Sequence, residues 1–135
     1  MIKTAWHTQW STEKGTACQL RNITKAAKSP GPLIYQSLGN NRKHIAWIAR
    51  LRTGHCGLNS YLHRFAISDE EMCECGKGQE TVKHYLLVCM KFEDQRVELR
   101  KKVEARGMRV ERLLGDKKLI RHTLDFVEQS NRFDF

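Results

Sequence analysis

Acidic residues are missing from a long stretch of this chain. Between Lys14 and Ser68 there is no Asp or Glu, while the same run carries nine cations: Lys14, Arg21, Lys25, Lys28, Arg42, Lys43, Arg50, Arg52 and Arg64. This absence excludes a carboxylate metal site or a carboxylate acid–base pair from that part of the chain. No apolar run approaches the roughly 18 residues needed to span a membrane. The opening MIKTAWHTQW lacks the apolar core of a secretory signal, which predicts an intracellular protein of nucleus or cytosol. Cysteines number five, and an odd count without a signal segment argues against a disulfide framework.

What is present is unevenly distributed. The formal net charge is +9 over 135 residues. After Ser68 fourteen basic residues face fourteen acidic ones, and Lys3 and Glu13 cancel, so the whole surplus lies in the first half. A segment this one-sided repels itself and invites a polyanion, with Arg42, Lys43, Arg50, Arg52 and Arg64 as the candidate phosphate contacts. The length suits one domain, or one domain with a small appendix, and the 40% apolar content suits a modest core.

The patterning predicts an all-α chain in three segments. Residues 1–31 read as an N-terminal helical segment, with Trp6 and Trp10 on one face of a first helix and a second helix over 16–27. "KSPGP", Lys28 to Pro32, ends it, because two prolines around a glycine stop a helix. Residues 32–107 read as a basic helical core. A short turn is expected at "PLIYQSLG", then a strong helix over "NNRKHIAWIARLRTG". Asn40 or Asn41 would cap it and Gly54 would close it. Its stripe holds Ile45, Ile48, Ala49 and Arg52, with Trp47 and Leu51 beside it. "GLNSYLHRF" places Leu58, Tyr61, Leu62 and Phe65 at core spacing. Trp47, Tyr61 and Phe65 also have the chemistry to stack on bases, although core is the expected place for each. Val82, Tyr85, Leu86 and Val88 are expected inward, as are Val97, Leu99 and Val103 on an amphipathic helix ending at Gly107. Residues 108–135 supply a last helix through Leu119, Ile120, Leu124 and Val127, followed by a frayed "NRFDF" tail.

The densest chemistry lies in "CECGKGQETVKHYLLVC", where Cys73, Cys75, His84 and Cys89 fall in a C-x-C-x8-H-x4-C pattern. Three thiols and an imidazole suit a closed, tetrahedral, structural Zn2+ site. Gly76 and Gly78 would let the loop turn back, and His84 and Cys89 would come from the following helix. Residues at i and i+5 lie about 140° apart on an α-helix. The spacing therefore predicts that the helix ends or loosens near Val88. Cys18 and Cys56 remain as small buried hydrophobes. A closed Cys3His set leaves no position for a catalytic water. No G-x-S-x-G, H-E-x-x-H, deaminase signature or phosphate-binding glycine loop occurs, so a non-enzyme is expected.

"LRTGHCGLNSYLHRF", Leu51 to Phe65, followed by the cysteine motif, resembles the C-terminal region of the reverse-transcriptase protein of fungal non-LTR (LINE-type) retrotransposons. The matching residues include Arg52, Thr53, Gly54, His55, Tyr61, Leu62, Thr81, Val82, His84, Leu86, Leu87 and Cys89, with Arg96 and Leu99 as a trailing R-x-x-L. The resemblance is specific over Trp47 to Arg100 and weaker over Trp6 to Gly39. It implies a CCHC zinc-knuckle-like accessory module that holds RNA or DNA, without the parent's polymerase, endonuclease or RNase H. It also admits a domesticated fragment, effector-like in a fungal pathogen and acting in the host cell. There the zinc would be purely structural and the partner a protein.

Overall fold

The computed structural model describes residues 17–26 and 31–133; the expected helix carrying Trp6 and Trp10 lies outside them. Within this range α1 spans Ala17–Ala26, α2 Gly31–Gln36, α3 Arg42–Thr53 and α4 Asn59–Arg64. A π-turn, His84–Val88, and a 3-10 turn, Met90–Phe92, lead into α5, Glu93–Gly107; α6, Val110–Leu113, and α7, Ile120–Ser130, complete the order. The described residues contain no strand, only an isolated antiparallel bridge between Met72 and Gln79. The class is all-α, with the Cys3His loop and helix embedded in it.

The α3 caps are those its sequence calls for. The Asn41 side chain accepts a hydrogen bond from the His44 N–H at 3.1 Å, satisfying one of the donors a helix start leaves open. Gly54, at φ 77°, closes the other end in the left-handed conformation that glycine tolerates. Between them Trp47, Ile48, Leu51 and Arg52 are buried.

Helix α1 packs on α3 and α6, and α7 packs on α5 and α3. One apolar cluster runs from Ile23 of α1 through α3 and the motif helix to Phe133 beyond α7, so all three sequence segments share it. At its centre Tyr85 meets Phe92, Phe126 and Phe133 at ring distances of 5.2, 5.4 and 5.3 Å. Its hydroxyl reaches Ser130 Oγ at 2.7 Å, which gives this buried polar tip a partner.

Several expectations are corrected. Phe65, Val88 and Val97 face outward. On α5 the inward stripe is Arg96, Leu99 and Val103, at i, i+3 and i+7, which leaves Val97 one step around the helix. Helix α6 had no counterpart in the sequence reading, yet Leu113 and Leu114 are fully buried. The tail is held through Phe133, because Phe133 is in the core and Arg132 is ion-paired.

Candidate metal centre

The four predicted ligands converge. One donor atom from each of Cys73, Cys75, His84 and Cys89 lies within 4.8 Å of the others. Cys73 Sγ is 3.5 Å from Cys89 Sγ, and Cys75 Sγ is 3.2 Å from His84 Nε2. Bonds of 2.3 Å at a tetrahedral angle separate two sulfurs by about 3.8 Å, so the cluster is close to the size that a shared ion demands. A Cys3His group is thus positioned to bind a metal ion.

Each ligand is placed by local backbone chemistry. A short hairpin presents the first two, with Cys73 N–H donating to Gly78 O at 2.8 Å and Glu80 N–H donating to Glu71 O at 3.0 Å. Gly76 at φ 74° and Gly78 at φ 145° make the reversal, in conformations other residues rarely adopt. Thr81 starts the helix that follows, its Oγ1 accepting from His84 N–H at 3.1 Å.

The i, i+5 geometry is resolved by the π-turn. Cys89 N–H donates to His84 O at 2.8 Å, so one full turn takes five residues and brings the last ligand over the imidazole. Leaving the helix at φ −57°, ψ 123°, Cys89 stays buried. The widened turn also accounts for Val88, which is carried to the outside.

Electrostatics favour a cation at the centre. Burial, reinforced by the neighbouring Cys89 and Cys75 thiols, pushes the Cys73 thiol up to about 12, and burial lowers His84. Cys75 is lowered, chiefly by a backbone hydrogen bond at Lys77. A neutral imidazole suits a metal directly, and a bound divalent ion is what turns a buried thiol into a thiolate. Lys91 pairs with Glu74 between the two halves of the ligand set and holds that carboxyl below its usual range.

Two arginines, one buried and one half-buried, support the module from outside. Arg96, with no exposed surface, donates from Nε to Leu86 O at 3.0 Å and from Nη2 to Tyr85 O at 3.1 Å. These carbonyls lie in the π-turn, so Arg96 acts as a cap from another helix. Its Nη1 meets Glu93 Oε2 at 2.5 Å. The R-x-x-L at Arg96 and Leu99 is therefore a cap followed by a core residue. On the other side, Glu80 accepts from Arg132 Nε at 2.9 Å and Nη2 at 2.8 Å, and from Asn59 N–H at 2.8 Å. It supplies the N-terminal cap that Leu58 cannot give α4, while Arg132 also reaches Gly57 O at 3.0 Å. Neither Glu80 nor Arg132 carried a signal in the sequence.

The five candidate phosphate contacts separate. Arg42, Lys43, Arg50 and Arg64 are exposed. Arg52 is 3% exposed, and its Nη1 donates to Leu114 O at 2.6 Å. It is withdrawn from the candidate set, because its guanidinium caps the end of α6. Trp47 is likewise core, at 4% exposed, with Lys43 Nζ 4.6 Å from its ring centre. Among the described residues no carboxylate pairs with Arg42, Arg50 or Arg64. No helix of the described residues is long and apolar enough to cross a membrane.

Part of this chain is similar to the Pol polyproteins of R1 retrotransposable elements. It is 36% identical over 50 residues to the Pol polyprotein of type-1 element R1 2 of Nasonia vitripennis, covering 37% of this chain and 12% of that protein. It is 43% identical over 44 residues to the R1 Pol polyprotein of Bradysia coprophila, covering 33% and 4%. Against a 115 kDa protein of element R1DM of Drosophila melanogaster it is 34% identical over 82 residues, covering 61% and 7%. The chain thus spans a small fraction of these relatives. The matches bear on the retrotransposon part of the resemblance and not on a fungal source. No family model and no solved structure matches.

Proposed function

We propose that this chain is a non-catalytic nucleic-acid-binding module of retrotransposon derivation, stapled by a structural zinc ion. Cys73, Cys75, His84 and Cys89 would hold the ion, which supplies cross-linking of the hairpin to the helix and no open coordination position. Phosphates are contacted by Arg42, Lys43, Arg50 and Arg64. The observation that carries this reading is the split in charge. Of the cations of the acid-free half, Arg42, Lys43, Arg50 and Arg64 are exposed, and Arg42, Arg50 and Arg64 have no carboxylate partner among the described residues. Those of the second half, from Lys91 to Arg132, largely do. Exposed cations of this kind attract a polyanion by counterion release.

The test is the affinity of zinc-loaded protein for labelled single-stranded RNA and duplex DNA across a salt series. Binding is expected to weaken steeply, with a log–log slope of about −0.7 to −0.9 per phosphate contact. A flat response, or no binding at low salt, would sink the reading and turn attention to a protein partner.

A further inference from the structure

Phe65 was expected in the core and is instead 52% exposed. It is the outer member of a row of three rings. His55 and Tyr61 lie 5.2 Å apart at 35°, and Tyr61 and Phe65 lie 4.8 Å apart at 48°. Two backbone features build the row. Gly54 ends α3 and releases His55 into solvent, and α4 carries Tyr61 while its C-cap residue Phe65 follows one turn later. Neither His55 nor Phe65 is needed to fill the core, since Leu58 and Cys56 do that at this corner.

The row borders a cleft of about 400 Å³, within the range of roughly 300–1,000 Å³ for ligand-sized pockets. Tyr61 belongs to both. Arg64 and Lys83 line the cleft with Thr53, Ser60 and Glu111. Both cations are exposed, and neither pairs with a carboxylate among the described residues. Glu80, the other acid of the cleft, is occupied by Arg132 and the start of α4.

Two exposed rings, His55 and Phe65, flanking the half-buried Tyr61 beside unpaired cations supply the two parts of a single-strand platform: faces for bases and charges for the backbone between them. A duplex keeps its base faces stacked on each other and can use only the charges. We propose that His55, Tyr61 and Phe65 form a stacking site for unpaired bases of a single-stranded polynucleotide, with Arg64 and Lys83 holding the adjoining phosphates. This rests on the nucleic-acid reading above and deepens it, because it names the strand state and the residues that sense it.

The experiment compares oligouridylate, oligothymidylate and a duplex of equal length, each binding the zinc-loaded full chain, by fluorescence anisotropy. A single strand carrying 2-aminopurine reports stacking directly. Single strands are expected to bind more tightly than duplex, and 2-aminopurine emission is expected to be quenched on binding. Phe65→Ala should weaken single-strand binding roughly 5- to 100-fold and abolish the quenching, while Phe65→Trp retains both. Because Phe65 is exposed, its variants should melt with the wild type. Preference for one sugar would identify the source as RNA or DNA within the same stacking chemistry. Salt-sensitive binding left unchanged by Phe65→Ala, or duplex bound as tightly as single strand, overturns the stacking site and leaves the charge reading standing. Failure of the wild type to bind any strand at low salt overturns both.

Discussion

From Lys14 to Ser68 the chain has nine cations and no acid, and downstream it has equal numbers of both. The same residue type behaves differently in the two regions. Arg42, Arg50 and Arg64 project into solvent, whereas Arg96 is fully buried between two carbonyls and a carboxylate, and Arg132 grips Glu80 and Gly57. In the second region Arg96 and Arg132 are structural and fasten the metal loop to the helices, while Lys83 stays exposed. In the first, Arg42, Arg50 and Arg64 are left available, whereas Arg21 and Arg52 are buried, which shows how position overrides composition.

The comparison can be broken most forcefully at the metal. Cys75→Ser or His84→Ala is expected to lose bound zinc and unfold at least the hairpin, since metal affinity in such sites is folding free energy, about 10–16 kcal/mol in isolated zinc-finger peptides. Metal content and thermal melting check this, and unchanged melting in both variants would reject a structural ion. Arg96→Ala should come next, at about 3–5 kcal/mol in urea denaturation, because it strands the buried Tyr85 and Leu86 carbonyls beside a cavity. Arg100→Ala, four residues on and half exposed, should stay within about 1 kcal/mol. Arg52→Gln and Arg132→Gln should each cost about 1.5–3 kcal/mol as lost charge-assisted hydrogen bonds. If Arg52→Gln is stability-neutral and instead lowers the salt slope of binding, the division drawn here is wrong. Finally, Arg42→Gln, Arg50→Gln and Arg64→Gln should each change stability by less than about 0.5 kcal/mol. Each should lower the slope of nucleic-acid binding by about 0.7–0.9.

Local chemistry was the legible part of this molecule. The ends of α3 follow from Asn41 and Gly54, the four ligands from their residue types, and the loosening near Val88 from the impossibility of an i, i+5 pair on an unbroken α-helix. Arg52 was legible too, because it sits on the stripe of Ile45, Ile48 and Ala49, where a solvent-facing cation does not belong. Its net charge masked what its position said. Arg96 is similar, since it shares a face with Leu99 and Val103. What could not be read were the long-range pairings. Nothing near Glu80 announces a partner 52 residues away, and nothing in "NRFDF" distinguishes an anchored Arg132 from a loose one. Phe65 was misplaced for a related reason. Spacing says which residues share a face of α4, but only the position of α4 among the other helices decides how much of that face is covered.

The Glu80–Arg132 clamp also bears on the order in which the molecule assembles. All four metal ligands lie within seventeen residues, so the hairpin and π-turn can close on an ion as soon as that stretch is made. Arg132, the partner of Glu80, follows Cys89 by 43 further residues, roughly 2–9 s at the pace of synthesis. During that interval the start of α4 already has its cap from Glu80, while the carboxylate lacks its own counter-charge. The ligand set is therefore complete before its outer supports are made, Arg96 first and Arg132 last, and the docking of Arg132 ties the knuckle to the end of the chain.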